Sequence, residues 1–247
     1  MSVHIQMIGT GSAFAKRYFN NNGLISSGGY HLLIDCGITA PYALHQLQIG
    51  LDDIDGILIT HIHGDHVGGL EEVAYRMKFV HQSKLTLFVP ASIAQDLWEH
   101  TLKGGLEDTS GHCDSLDCYF NVQLLDEQSP YQINENFTVE LIRTQHIPGK
   151  PSYGVLINDS VFYSSDMTFA PQLLTDLVSQ GRCKHIMHDC QLSGQGVVHT
   201  TLQELLTLPV TLQERIWLMH YGDDKDRYEG QTGFMRFIEQ HKIYTFD

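Results

Sequence analysis

The stretch THIHGDHVGG, Thr60 to Gly69, follows directly on the apolar run GILI and packs His61, His63, Asp65 and His66 more tightly than any fold needs. His61 and His63 are two apart, so on extended backbone both imidazoles project to the same side. Gly64 then permits a tight turn, after which Asp65 and His66 can point back from the start of a helix. One segment thus offers two ligand pairs, and it demands a strand that ends at Thr60. Imidazole nitrogen with carboxylate oxygen suits zinc, with manganese or iron as alternatives, whereas magnesium or calcium would call for an all-oxygen set. A lone histidine is usually an ordinary surface or core residue, but HxHxDH directly after a buried-type strand is a metal-site pattern. Taken alone, it is compatible with a single structural zinc as well as with a catalytic centre.

Short apolar or alternating runs that read as strands recur along the chain: His4 to Ile8, Tyr30 to Asp35, Gly56 to Thr60, Leu85 to Val89, Val122 to Leu125, Phe137 to Arg143, Tyr153 to Asn158, Val161 to Ser164, His185 to His188 and Ile216 to Met219. Helices are expected around Pro41 to Leu47, Leu70 to Phe79, Ser92 to Leu102, Pro171 to Gln180, Thr201 to Thr207 and Gly233 to Gln240. Asn158-Asp159 is a good two-residue hairpin turn. The pattern predicts an α+β fold with two mainly antiparallel sheets flanked by helices rather than a doubly wound parallel sheet. His146, Asp166 and His220 each follow a predicted strand, where rigid scaffolds present functional groups.

The 247 residues suffice for one substantial core, and no linker, low-complexity tract or repeat interrupts them, so a single domain over 1–247 is expected. No signal peptide and no run of membrane-spanning length is visible, which points to a cytoplasmic protein without a membrane partner. Five cysteines without a CxxC pair fit reduced thiols rather than a disulfide framework. A net charge of −14, from twenty-nine acidic against fifteen basic residues, is a poor surface for a polyanion. The short basic candidates, Lys16-Arg17 and Arg76 with Lys78, read as solvated charge.

On these residues the chain resembles the metallo-β-lactamase fold hydrolases, whose remaining motifs appear in order: Asp35-Cys36-Gly37, His146, Ser165-Asp166, and His220 in LMHYG. The resemblance implies an αββα sandwich with two divalent metal ions. His61, His63 and His146 would hold one, Asp65, His66 and His220 the other, and Asp166 would bridge them. Asp35 would orient a ligand histidine. Zinc is the expected metal, with manganese the alternative, and Asp65 is also a candidate base for the attacking water. Two such ions lower the pKa of water and meet the charge that develops on a phosphate diester.

The C-terminal third is similar to the ribonuclease Z branch: HDCQL (His188 to Leu192), VVHTT with His199, and LMHYGDDKDRY, together with an opening IGTGSAF and NNNG. Carried over, Asp189 orients His199, and His199 is the general acid at the leaving oxygen. Position 189 holds Asp where the branch has Glu. Otherwise His199 is an exposed residue ahead of a helix capped by Thr200. Only nineteen residues separate His146 from Asp166. The long inserted arm with which ribonuclease Z grips transfer RNA is therefore absent, and no large nucleic-acid partner is expected.

The arm-free branch that fits best is that of the phage anti-Pycsar enzymes and their bacterial relatives. The resemblance implies hydrolysis of 3′,5′-cyclic mononucleotides, countering an antiphage signal, in a homodimer in the cytoplasm of the cell or, for a phage protein, of the host. Gly104 to Phe120, which lacks helical periodicity, is the candidate lid, over this chain's pocket or a neighbouring protomer's. Tyr153, Tyr221 and Phe14 are candidates to stack on a base, or else core or hinge aromatics. Ribonuclease Z-like processing of RNA 3′ ends, thioester or lactam hydrolysis, and a non-enzymatic metal module remain alternatives at this level.

Overall fold

The strand-forming runs assemble into two seven-stranded sheets in the structure, a computed structural model that describes residues 2–247. The first sheet contains β1 (Val3–Gly9), β2 (Asn22–Ser27), β3 (Tyr30–Ile34), β4 (Gly56–Leu58), β5 (Thr86–Pro90) and β6 (Asn121–Leu125) side by side. The second contains β7 (Tyr131–Asn134), β8 (Phe137–Thr144), β9 (Ser152–Ile157), β10 (Val161–Tyr163), β11 (His185–Asp189), β12 (Ile216–Met219) and β13 (Arg236–Phe237), also in chain order. The final strand, β14 (Ile243–Phe246), returns to the first sheet and pairs with β1.

The period of two along each strand separates the layers. In β3, Leu32 and Ile34 enter the core between the sheets with Met7, Val155 and Met187, while Leu33 faces the opposite way. That outer face packs against helices Ala40–Gln46, Leu70–Arg76 and Ala94–Leu97 through Ala43, Val73 and Leu97. The outer face of the second sheet is covered by Pro171–Ser179, Leu202–Leu205 and Val210–Gln213 through Leu174, Leu205 and Leu212. The result is helix, sheet, sheet, helix, the expected sandwich.

The sheets are mixed rather than mainly antiparallel. Strands β14 to β3 and β7 to β10 pair antiparallel, whereas β3 to β6 and β10 to β13 pair parallel. In the second sheet β8 runs the same way as β10, so β8, β10, β11 and β12 all deliver their C-terminal ends to one edge. The Asn158-Asp159 turn forms as expected, with φ of 51° and 45°, the two positive values of a tight hairpin.

Three expectations change. Gly233 to Gln240 is not a helix: Arg236–Phe237 pairs parallel with Trp217 and Leu218. Phe234 and Ile238, four apart, imitate a helical stripe, yet Phe234 is 55% exposed and Ile238 fully buried, so they share no face. The helix after His199 is capped by Thr201, whose side chain accepts from Glu204 N in a capping box, while Thr200 is buried and donates to Met167 O. Gly104 to Phe120 is not a flap over its own chain's site. Leu106, Cys113, Leu116, Tyr119 and Phe120 pack into the core beside Met77 and Leu102, and none of the segment lines the cleft described below. Among the described residues no helix is long and apolar enough to cross a membrane.

Candidate metal centre

The strand ends bring His61, His63, His146 and Asp166 together as one group, and Asp65, His66, His220 and Asp166 as a second, the ligand atoms of each lying within 4.8 Å of one another. Thus all seven residues singled out as ligands meet at one edge of the sandwich, with Asp166 common to both groups. In the first, His61 Nε2 and His146 Nε2 lie 3.1 and 3.2 Å from His63 Nδ1. His146 Nδ1 donates to Val198 O at 2.7 Å, so its Nε2 presents a lone pair to the other two rings. In the second, Asp65 Oδ2 is 3.3 Å from both His66 Nε2 and His220 Nε2.

The side chains behind the groups explain their orientation. Asp35 Oδ2 accepts from His66 Nδ1 at 2.7 Å, which turns His66 Nε2 toward Asp65 and Asp166. Thr60, unmarked in the sequence, ties the strand ends: its N–H and Oγ1 donate to the two oxygens of Asp35 at 2.8 Å, and Oγ1 meets Ser165 Oγ at 2.8 Å. Gly37 lets this loop close, because a Cβ there would lie 2.0 Å from Asp65 O. Asp35, Ser165 and His220 are held at positive φ of 60°, 51° and 56°, strain that non-glycine residues accept where the surroundings fix them.

Whether these residues fit a metal is decided by their unpaired atoms and charges. His66 Nε2 and Asp166 Oδ1 are buried without a hydrogen-bond partner, the condition a cation relieves. Burial, reinforced by the neighbouring His66, holds His61 well below the ordinary imidazole pKa, and burial lowers His63 and His146 too; neutral rings are the ligand form. Burial would push Asp166 and Asp65 up, but the facing histidines outweigh it and hold both below the carboxylate range, so both are ionised. Burial would push His66 down, yet Asp166, Asp35 and Asp65 drive it well up; a bound cation takes the place of that proton. Three nitrogens and a carboxylate on one side, two of each on the other, form a divalent-metal site of borderline-soft character.

Beside it stands a second constellation. His199 Nδ1 is 3.1 Å from Asp189 Oδ2 and 3.9 Å from Asp166 Oδ2, so the shorter Asp at position 189 still reaches its histidine. The His199 ring stacks on His220 at 4.9 Å. Burial opposes the imidazolium, but the hydrogen bond that it donates to Asp189 and the charge of Asp166 prevail and raise the His199 pKa. The other oxygen of Asp189 lies 3.1 Å from the buried His188 Nδ1, whose hydrogen bond is to Asp189 O at 2.8 Å; the only sequence signal of His188 was its place in HDCQL. The expected base stackers separate: Tyr153 and Tyr221 are fully buried core aromatics that hydrogen-bond Ser92 and Ile238 O, and only Phe14, 88% exposed, is free. The basic candidates are largely paired, Arg17 with Asp226 and Arg76 with Glu72.

A family model described as anti-Pycsar protein Apyc1 matches residues 3–244. Proteins of that name from Paenibacillus xerothermodurans and Paenibacillus sp. (strain J14) are 53% and 55% identical, covering 100% and 99% of this chain and 98% and 100% of their own. The metallo-β-lactamase fold protein YhfI of Bacillus subtilis superposes with a TM-score of 0.76 at 17% identity over 99% of both chains, and the short form of human tRNase Z with 0.67 at 20% over 98% of both; these likenesses show the fold. With a paired His/Asp metal site on a metallo-β-lactamase sandwich and a family match over almost its whole length, the chain is a metal-dependent hydrolase that belongs to the anti-Pycsar protein Apyc1 family.

Proposed function

We propose that this chain hydrolyses 3′,5′-cyclic mononucleotides to nucleoside monophosphates and thereby counters the cyclic-nucleotide antiphage signalling for which its relatives are named. The observation that carries the reading is a protonatable His199, paired with Asp189, standing 3.9 Å from the carboxylate that the two ligand groups share. In this proposal His61, His63 and His146 would hold one divalent ion, most readily zinc, and Asp65, His66 and His220 the other, with Asp166 available to both groups. When bound, such ions would supply an activated water and fixed positive charge for the phosphate oxygens.

The protein's own groups do the rest. His199 delivers a proton to the departing ribose oxygen as the bond to phosphorus breaks with inversion, and Asp189 keeps the ring turned and protonated. Asp65, besides serving as a ligand in this scheme, is the proposed acceptor of the attacking water's proton. Small substrates are favoured because only the β9–β10 hairpin lies between His146 and Asp166, and because the net charge of −14 repels a long polyanion. The protein acts as a homodimer in the cytoplasm under this reading; sedimentation at micromolar concentration tests the dimer.

The zinc-loaded protein, assayed against the four common cyclic mononucleotides, a precursor transfer RNA and bis-p-nitrophenyl phosphate, is expected to open the cyclic nucleotides. Cleavage of the RNA alone would overturn the proposal.

A further inference from the structure

A cleft of about 320 Å³ opens beside His61, His63 and His146 and belongs to the metal centre. Outside it, where the segment Gly104 to Phe120 packs on the first sheet's helices, Lys78, Cys113 and Cys118 form a cluster that the hydrolytic site does not use. Lys78 lies on the turn Met77–His81 that continues helix Leu70–Arg76. Its Nζ donates to Cys113 Sγ at 3.0 Å and stands 4.4 Å from the centre of the Tyr119 ring. Cys118, the last residue of the turn Leu116–Cys118, sets its thiol in hydrogen-bond contact with the same sulfur and 3.8 Å from His112 O. The backbone fixes this approach: Cys113 N–H donates to Asp108 O and Asp108 N–H to Cys113 O, both at 2.9 Å. Asp108 Oδ1 closes the loop by accepting from the Ser110 and Gly111 N–H groups.

The other three thiols are buried and inert by comparison. Burial pushes Cys36 and Cys190 well up, and Cys183 up to about 11. Burial would push Cys113 up too, but the hydrogen bonds from Cys118 and Lys78 outweigh it and hold this thiol below its ordinary value. Burial and the neighbouring Cys113 raise Cys118, so the proton of the pair stays on Cys118. An ammonium facing a sulfur, with a second thiol touching it, is the arrangement of an attacking and a resolving cysteine. Cys113 is only 3% exposed and Cys118 is half-buried beside exposed Asp117, which restricts the reagent to a small one.

We propose that Cys113 and Cys118 form a peroxide-reactive dithiol, with Cys113 the attacking sulfur, Cys118 the resolving one and Lys78 the positioning residue that holds the thiolate. The Cys113 thiolate attacks one oxygen of hydrogen peroxide; an S–O bond forms, the O–O bond breaks, and hydroxide leaves and takes a proton from solvent. The Cys118 sulfur then attacks Cys113; the S–S bond forms, the S–O bond breaks, and hydroxide leaves with the Cys118 proton as water. Two thiols lose two electrons, and one peroxide becomes two waters.

The test treats the zinc-loaded protein with hydrogen peroxide at neutral pH, blocks free thiols with N-ethylmaleimide and maps peptides by mass. The expected product is an intrachain Cys113–Cys118 link, lighter by two hydrogens and reversed by dithiothreitol, with Cys36, Cys183 and Cys190 still reduced. Cys118→Ser should stop at a Cys113 sulfenic acid that dimedone traps. Lys78→Met should slow the reaction about tenfold at neutral pH, Lys78→Arg should keep most of the rate, and the Lys78→Met deficit should close at alkaline pH, where a thiol ionises unaided. Cys113 and Cys118 both left free, or linked between chains, overturns the dithiol. A Lys78→Met rate equal to that of the unaltered protein, or a deficit that persists at alkaline pH, overturns the part given to Lys78.

Discussion

The two ligand groups share Asp166 but are built differently. The group of His61, His63 and His146 is nitrogen-rich, has Asp166 as its only carboxylate, and opens onto the cleft. The group of Asp65, His66 and His220 is closed: His66 is fully buried, two carboxylates face it from within the group, and Asp35 and Thr60 brace it from behind. More negative charge and a tighter frame mean stronger cation binding, while openness means access for substrate. On the proposed reading, the closed group would anchor its ion and the open one would receive the substrate.

The largest effect should come from the residue that belongs to both. Asp166→Ala removes the shared carboxylate, and the expected outcome is loss of hydrolysis to background together with reduced metal content by atomic absorption; retained turnover would contradict the bridging role. Next is His199→Ala, which holds neither group in this scheme. Its rate should fall by about 10²- to 10⁴-fold, the range for a lost general acid, with metal content intact. Wild-type rates in that variant would favour thioester or lactam chemistry instead.

Asp35→Asn separates the two groups directly. It weakens the brace on His66 directly and reaches His61 only through Thr60, so the ion of the His66 group should become about 10- to 100-fold easier to strip with a chelator while the other loosens less. Equal weakening of both ions would erase the contrast. The smallest effect is a displaced pH profile. Asp189 and Asp166 raise the His199 pKa, and the proposed mechanism uses the protonated ring, so activity should be lost as pH rises through that raised value. Asp189→Asn removes one raising partner, and the alkaline fall should begin at lower pH; an unmoved limb would show that another group sets it.

Legibility in the sequence followed distance along the chain. His61, His63, Asp65 and His66 stand out because they are contiguous, and His146, Asp166 and His220 because each follows a strand in an order that a known family shares. Thr60 carried no mark, since its role depends on Asp35 and Ser165 arriving from other strands. Tyr153 and Tyr221 neighbour motif residues in sequence, yet the pleat turns them into the core. The apolar spacing of Phe234 and Ile238 suited a helix until the edge of the second sheet took that segment as a strand.

What the amino-acid order determined alone was local: the turn at Gly64 with its flanking ligands, the Asn158-Asp159 hairpin and the alternation of strand and helix segments, all products of backbone sterics and of the periods of two and 3.6. Tertiary structure decided which strand ends meet. The parallel half of each sheet sends its C-terminal ends to a common edge, and only that pairing sets His199 on Asp189 beside Asp166 and opens the cleft on the side of His63 and His146. Convergence of this kind is a property of long-range register, and the spacing of residues along the chain does not encode it.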